Sequence, residues 1–168
     1  MTTMTVREAG PDDLAVIAGI LAIAGEHMHR VQDRSHWYPF RSAERFAERL
    51  EGRTSYLVQL DDVVAGTYDL SERPEPYHQM DRWPSGDVPA VYFGGFAVLP
   101  GFWGGGLGTR IVDDALERAR AYGHPWFRFD AVSSNEVLVR WYRSLGFTVT
   151  SYLPVGELEV TCFERPLP

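Results

Sequence analysis

Lysine is missing altogether: all 16 basic residues are arginine. No side-chain amine is therefore available as a Schiff-base nucleophile. Cysteine is nearly absent too. Cys162 stands alone, so no internal disulfide can form, which suits a reducing compartment. It sits in an apolar run near the C-terminus and reads as a buried thiol rather than a nucleophile. Positive charge is in the minority, at a formal net charge of −7. That argues against a general nucleic-acid surface or an anionic-membrane surface. Repeats, linkers and low-complexity tracts are lacking, so a single domain over residues 1–168 is expected. Long hydrophobic runs are lacking as well. Leu14 to Gly25 is apolar but falls short of a bilayer span. Glu8, Asp12 and Asp13 precede it, where a signal peptide needs positive charge. Pro11-Asp12-Asp13 fits the first turn of a buried helix, and a cytoplasmic protein is expected.

What is present is enough for a core: 45% of residues are hydrophobic and 13% aromatic. Met4 to Glu8 is a short strand, followed by a helix from Pro11 to His27. Ser42 can cap a second helix that buries Phe46 and Leu50 and stops at Gly52. Ser55 to Leu60 and Val63 to Leu70 form strands around an Asp61-Asp62 turn. Ser71 to Ala90 carries Pro74, Pro76, Pro84 and Pro89, and is either a functional loop or a surface excursion over a sheet edge. Val91 to Leu99 is almost wholly apolar and suits a central strand, with a bulge or close backbone approach at Gly94-Gly95. Leu107, Ile111, Ala115, Ala119 and Tyr122 recur at helical spacing, up to Gly123 and Pro125. Trp126 to Val132 is a strand, Asn135 to Leu145 a short helix, and Thr148 to Leu153 and Leu158 to Glu164 are the last strands. This order is a mixed α/β domain, and its Val91-to-Val132 unit is a parallel crossover.

Between that central strand and the helix after it lies Gly104-Gly105-Gly106-Leu107-Gly108. A helix start leaves N–H groups unpaired and carries a positive dipole end. Glycines before it let a phosphate reach the backbone. Thr109 can add a hydroxyl and Arg110 a charge. A dinucleotide fold is one reading, supported by Asp130 at the distance expected of a ribose-binding acid. Against it, Gly104 and Gly106 are followed by Thr109 rather than a third glycine. The turn also lies past Pro100, and few residues follow Asp130.

Phe96 to Gly108 (FAVLPGFWGGGLG) resembles the coenzyme-A pyrophosphate motif of the GCN5-related N-acetyltransferase (GNAT) superfamily, V-x-P-x-x-[QR]-G-x-G-[LI]-[GA]. Val98, Pro100, Gly104, Gly106, Leu107 and Gly108 match, and Trp103 departs at the Arg/Gln position. Asn135 to Phe147 (NEVLVRWYRSLGF) is similar to the superfamily's next motif, and Phe127 to Asp130 to the strand before it. The resemblance implies a GNAT-like domain: a mixed, mostly antiparallel sheet of about six or seven strands, with about four helices and one parallel β-α-β crossover. It implies acetyl-CoA as co-substrate, no metal, a small-molecule amine acceptor, and compatibility with a homodimer. Acetyl transfer would proceed by direct attack in a ternary complex.

The resemblance also assigns residues. Phe96, Ala97, Val98, Trp103, Gly104, Gly105, Gly106, Leu107, Gly108, Thr109 and Asn135 would hold the coenzyme. Tyr142 would protonate the leaving thiolate, a phenol near pKa 10 suiting a thiolate of comparable basicity. The strand glutamate that serves as base in histone-type members is replaced by Tyr92, so Asp69, Glu72 and Asp130 remain candidates for that role. Trp37, Tyr38, Asp69, Tyr92 and Asp130 are the acceptor-binding candidates, with His27, His29, His36 and Phe40 nearby and Leu153 to Glu157 opposite. His27 and His29 have no third metal ligand in register. Two alternatives stay open: a non-catalytic acyl-CoA-binding sensor of the same fold, and the nicotinamide enzyme.

Overall fold

The computed structural model describes residues 1–32, 47–48 and 50–168. In chain order the elements are β1 (Met4–Glu8), α1 (Leu14–Gln32), β2 (Thr54–Leu60), β3 (Val63–Ser71), β4 (Ala90–Val98), α2 (Leu107–Arg120), β5 (Trp126–Val132), α3 (Glu136–Ser144), β6 (Thr148–Val155) and β7 (Leu158–Pro166). They form a seven-stranded sheet in the order β1-β2-β3-β4-β5-β7-β6. The β4–β5 pair is parallel, from Ala90↔Trp126 to Tyr92↔Arg128, and α2 connects these strands. The expected mixed, mostly antiparallel class is what the chain adopts. Three α-helices lie among the described residues. The expected second helix falls mostly outside them, although Ala47, Glu48 and Leu50 are helical and Gly52 is left-handed at φ 76°.

Two compact units divide the chain: Met1–Leu70 with Gly95–Asp113, and Ser71–Gly94 with Asp114–Pro168. In the first, α1 buries Ile17, Ile20, Leu21 and Ala24 in one cluster with Leu57 and Ala97. Such burial stabilises by about 1.5–3 kcal/mol for each large side chain. Asp61 and Asp62 have φ of 49° and 67°, the left-handed pair that a two-residue hairpin requires. Helix α1 continues past the expected end at His27. Glu26 pairs with Arg30 at 3.1 Å one turn on, and His29 and Arg30 suit its negative dipole end. This extension corrects the reading that the apolar run is too short for a bilayer. Pro11–Val31 is long and apolar enough by length and composition, while its buried face is that of a core helix.

The second unit is built around aromatic rings. Phe129 stacks on Phe163 at 5.0 Å and meets Tyr142 at 4.5 Å and Phe147 at 4.8 Å. A second cluster joins Trp83, Ala90 and Tyr92 to Leu153, Val160 and Cys162. Helix α3 is C-capped by Leu145, and Gly146 supplies the left-handed φ of 87° that follows such ends.

Candidate active site

In the first unit the glycine turn leads from β4 into α2. Gly104 and Gly106 have φ of 82° and 77°, which a side chain would strain. A Cβ added at Gly104, Gly105 or Gly106 would meet no heavy atom within 4 Å. The turn therefore presents bare backbone to open space at a helix N-terminus, the arrangement that accepts a phosphate. Leu107 is buried and anchors the start of α2, while Gly108, Thr109 and Arg110 are half-buried.

Just upstream, Ala97 is buried, and Phe96 and Val98 are half-buried. Gly95 breaks the extended geometry of β4 at φ 54°, where the glycine pair led us to expect an irregularity. Trp103 is 48% exposed. Its indole N–H donates to the Val98 carbonyl at 2.8 Å, and its ring meets His27 edge-on at 4.8 Å. Asp69 lies elsewhere in this unit, in a buried ion pair with Arg53 at 2.9 Å. Trp37 and Tyr38, with His36 and Phe40, lie outside the described residues.

In the second unit Asn135 caps α3, its Oδ1 accepting from Leu138 N–H at 3.1 Å. Seven residues on, Tyr142 is buried among Phe129, Trp141, Phe147 and Phe163. Burial, and then the Asp130 charge, push its phenol well above its ordinary range. This departs from the expectation of a phenol near 10. The proton is held more tightly than a thiolate would hold it, which favours hydrogen-bond donation over complete transfer. Among the described residues the hydroxyl has no hydrogen-bond partner, yet no side-chain oxygen without a partner is sealed from solvent.

Asp130, on β5, accepts at one oxygen, Oδ2, from His78 Nε2 at 2.5 Å and from the Tyr77 hydroxyl at 3.0 Å. His78 was not among the residues singled out in the sequence. It stands in the proline-containing stretch, where no spacing rule ties it to β5.

That stretch, 71–90, is held down by buried polar bonds. Arg128 is fully buried. It donates to Glu164 at 3.3 Å, to Ser85 Oγ at 2.5 Å, to the Gly86 carbonyl at 2.7 Å and to the Tyr92 hydroxyl at 3.2 Å. Its guanidinium also lies 5.0 Å from the Trp83 ring centroid. Buried charges need such complete partnering. Tyr92 is thereby engaged at its hydroxyl and 4% exposed. Glu72 pairs with His124 at 2.6 Å on the surface. Cys162 is a buried thiol, pushed up to about 11 chiefly by desolvation.

The dinucleotide reading fails on the sheet. The other neighbour of β5 is β7, antiparallel from Trp126↔Pro166 to Val132↔Val160, where a dinucleotide fold continues in parallel.

Comparison with known proteins agrees. Residues 22–147 match the model of the acetyltransferase (GNAT) family. The L-methionine sulfoximine/L-methionine sulfone acetyltransferase of Salmonella typhimurium is 28% identical over 152 residues, covering 90% of this chain and 84% of that protein. A putative acetyltransferase of Salmonella typhimurium, solved with acetyl-CoA, superposes at TM-score 0.67 with 24% identity, over 98% of this chain and 94% of the other. Spermidine N-acetyltransferase of Vibrio cholerae, solved with CoA and spermine, gives TM-score 0.69 at 13% identity, over 98% and 95%. With the family model spanning β4, the glycine turn, β5 and α3, the chain belongs to the acetyltransferase (GNAT) family.

Proposed function

We propose that this protein is an N-acetyltransferase that moves an acetyl group from acetyl-CoA to the primary amine of a small molecule, by direct attack in a ternary complex. The observation that carries this reading is the turn Gly104–Gly106, three glycines whose missing side chains leave room for a pyrophosphate. Arg110 adds positive charge to the same stretch. Phe96, Ala97 and Val98 are assigned to the pantetheine arm and thioester, and Asn135 to the same co-substrate.

In the reaction the neutral amine nitrogen attacks the thioester carbonyl carbon. The C–N bond forms, the C–S bond breaks, and the nitrogen loses one proton to water. The coenzyme sulfur takes one from water and leaves as a thiol. Tyr142 is the group we assign to that sulfur. Its phenol stays protonated across the working pH range and offers its hydrogen to the developing thiolate. The relatives that act on methionine sulfoximine and spermidine support a small, amine-bearing acceptor. A cytoplasmic location accords with the single, free and buried Cys162.

The test is direct. Acetyl-CoA at about 100 times its Kd stabilises the native state by ~2.7 kcal/mol, raising Tm by roughly 5–10 °C for a chain of this size, while NAD leaves it unmoved. No shift with acetyl-CoA sinks the proposal. Thiol release on adding amines separates the enzyme from the non-catalytic coenzyme-binding alternative.

A further inference from the structure

The division of labour at Asp130 goes beyond that reading while resting on it. The side chains of Asp130 and His78 are 9% and 2% exposed. Both donors that Asp130 receives, from His78 and Tyr77, land on Oδ2. Its other oxygen, Oδ1, has no partner among the described residues. It is also not sealed away, because among the described residues no buried side-chain oxygen lacks a partner. A carboxylate this enclosed, with one oxygen doubly occupied and the other open, is aimed.

His78 is itself fixed from several sides. Its Nδ1 accepts from the Glu75 N–H at 3.2 Å, so Nε2 carries the proton that points at Asp130. Its ring is bracketed by Tyr77, Trp83 and Tyr92 at 4.9, 4.9 and 5.9 Å. Trp83 is anchored by its indole N–H to the Phe163 carbonyl at 3.4 Å. With both nitrogens engaged, His78 has no lone pair to offer a substrate. It can orient Asp130 but cannot serve as the base.

We propose that His78 is a positioning residue for the acetyl acceptor: with Tyr77 it occupies Oδ2 of Asp130, so that Oδ1 is presented to a cationic amine. A carboxylate oxygen recognises an ammonium through a charge-assisted hydrogen bond. The acceptor class is therefore a small molecule with a protonated amine, bound before one of its amines is deprotonated for attack.

The experiment uses purified full-length protein, acetyl-CoA and a panel of L-methionine sulfoximine, L-methionine sulfone and spermidine. Thiol release is followed, and the fastest amine is carried forward. His78→Ala raises the KM for that amine about tenfold or more, the size of one lost charge-assisted bond, while the acetyl-CoA KM stays within about twofold. His78→Gln, which keeps a donor near Nε2, recovers most of the loss. An unchanged amine KM in folded His78→Ala overturns the proposal. So does a parallel rise in the acetyl-CoA KM, which would mark a purely structural role. If Ala does not fold, His78→Gln against His78→Phe gives the same comparison. A wild-type protein that binds acetyl-CoA but releases no thiol with any of the amines removes the transferase reading and this inference with it. An active wild type with a silent His78 removes this inference alone.

Discussion

The indole N–H of Trp103 points back along the chain to the carbonyl oxygen of Val98, 2.8 Å away. Residue 103 occupies the place where the superfamily motif carries arginine or glutamine, and here its polar atom is spent on β4. It brings no charge to the turn. Trp103→Arg adds one, and at a surface site an opposite charge contributes on the order of 1 kcal/mol, screened by salt. Acetyl-CoA should bind Trp103→Arg about 3–10 times more tightly than Trp103→Gln at low ionic strength. The advantage should shrink as salt rises. Titration calorimetry at two salt concentrations checks this, and equal affinities with equal salt slopes contradict it.

Gly105 separates ligand effects from backbone strain. Unlike Gly104 and Gly106, it does not have a positive φ, and a Cβ there meets nothing within 4 Å. Gly105→Ala should therefore keep the stability of the free protein within about 0.5 kcal/mol. The methyl would occupy the space assigned to the pyrophosphate, so acetyl-CoA affinity should fall about tenfold. A Gly105→Ala variant that binds acetyl-CoA as tightly as wild type would place the phosphates elsewhere.

These two positions show what could be read from the sequence. The turn was legible because four glycines in five positions have one backbone consequence, and local spacing alone carries it. The strands β2 to β7 were legible for the same reason: alternation, apolar runs and turn residues are local signals. The Asp61-Asp62 turn follows from short-range chemistry in the same way. What escaped is long-range. His78 meets Asp130 across 52 positions, and Ser85 meets Glu164 across 79. Arg128 is fully buried, bonded to Ser85 and Gly86 of the 71–90 stretch more than 40 positions away. The proline content of that stretch points to a functional loop or a surface excursion over a sheet edge; the bonds from Arg128 to Ser85 and Gly86 have no sequence signature.

Tyr142 is predicted to act through its hydroxyl alone. Its ring packs on Phe129, Phe147 and Phe163, and phenylalanine keeps every one of those contacts. Tyr142→Phe should leave acetyl-CoA affinity and Tm nearly unchanged and lower turnover about 100-fold, the lower end for losing one hydrogen-bond donor to a developing charge. The pH profile carries the sign. Burial and Asp130 raise the phenol pKa, so the protonated form persists as pH rises past the ordinary value of about 10. Wild-type turnover should show no falling limb due to Tyr142 between about pH 7 and about pH 10. A limb near pH 9–10 that Tyr142→Phe abolishes would show that the phenol titrates normally.

Gly66 is predicted to be a backbone contact on which β4 depends. It sits on β3 opposite Val58, beside a register shift at Val58/Gln59. A Cβ there would lie 2.7 Å from the Ala97 carbonyl oxygen and 3.4 Å from Ile111 Cδ1. The first distance is to backbone, which cannot rotate away as a side-chain tip can. Gly66→Ala must therefore displace β4 at Ala97 and Val98, the segment assigned to the pantetheine arm. Overpacking of this kind destabilises by about 1–3 kcal/mol, so the urea midpoint should fall with an unchanged m-value. Acetyl-CoA affinity should fall as well, because the displaced residues are the ones proposed to hold it. Stability lost with affinity intact would locate the pantetheine arm away from Ala97 and Val98.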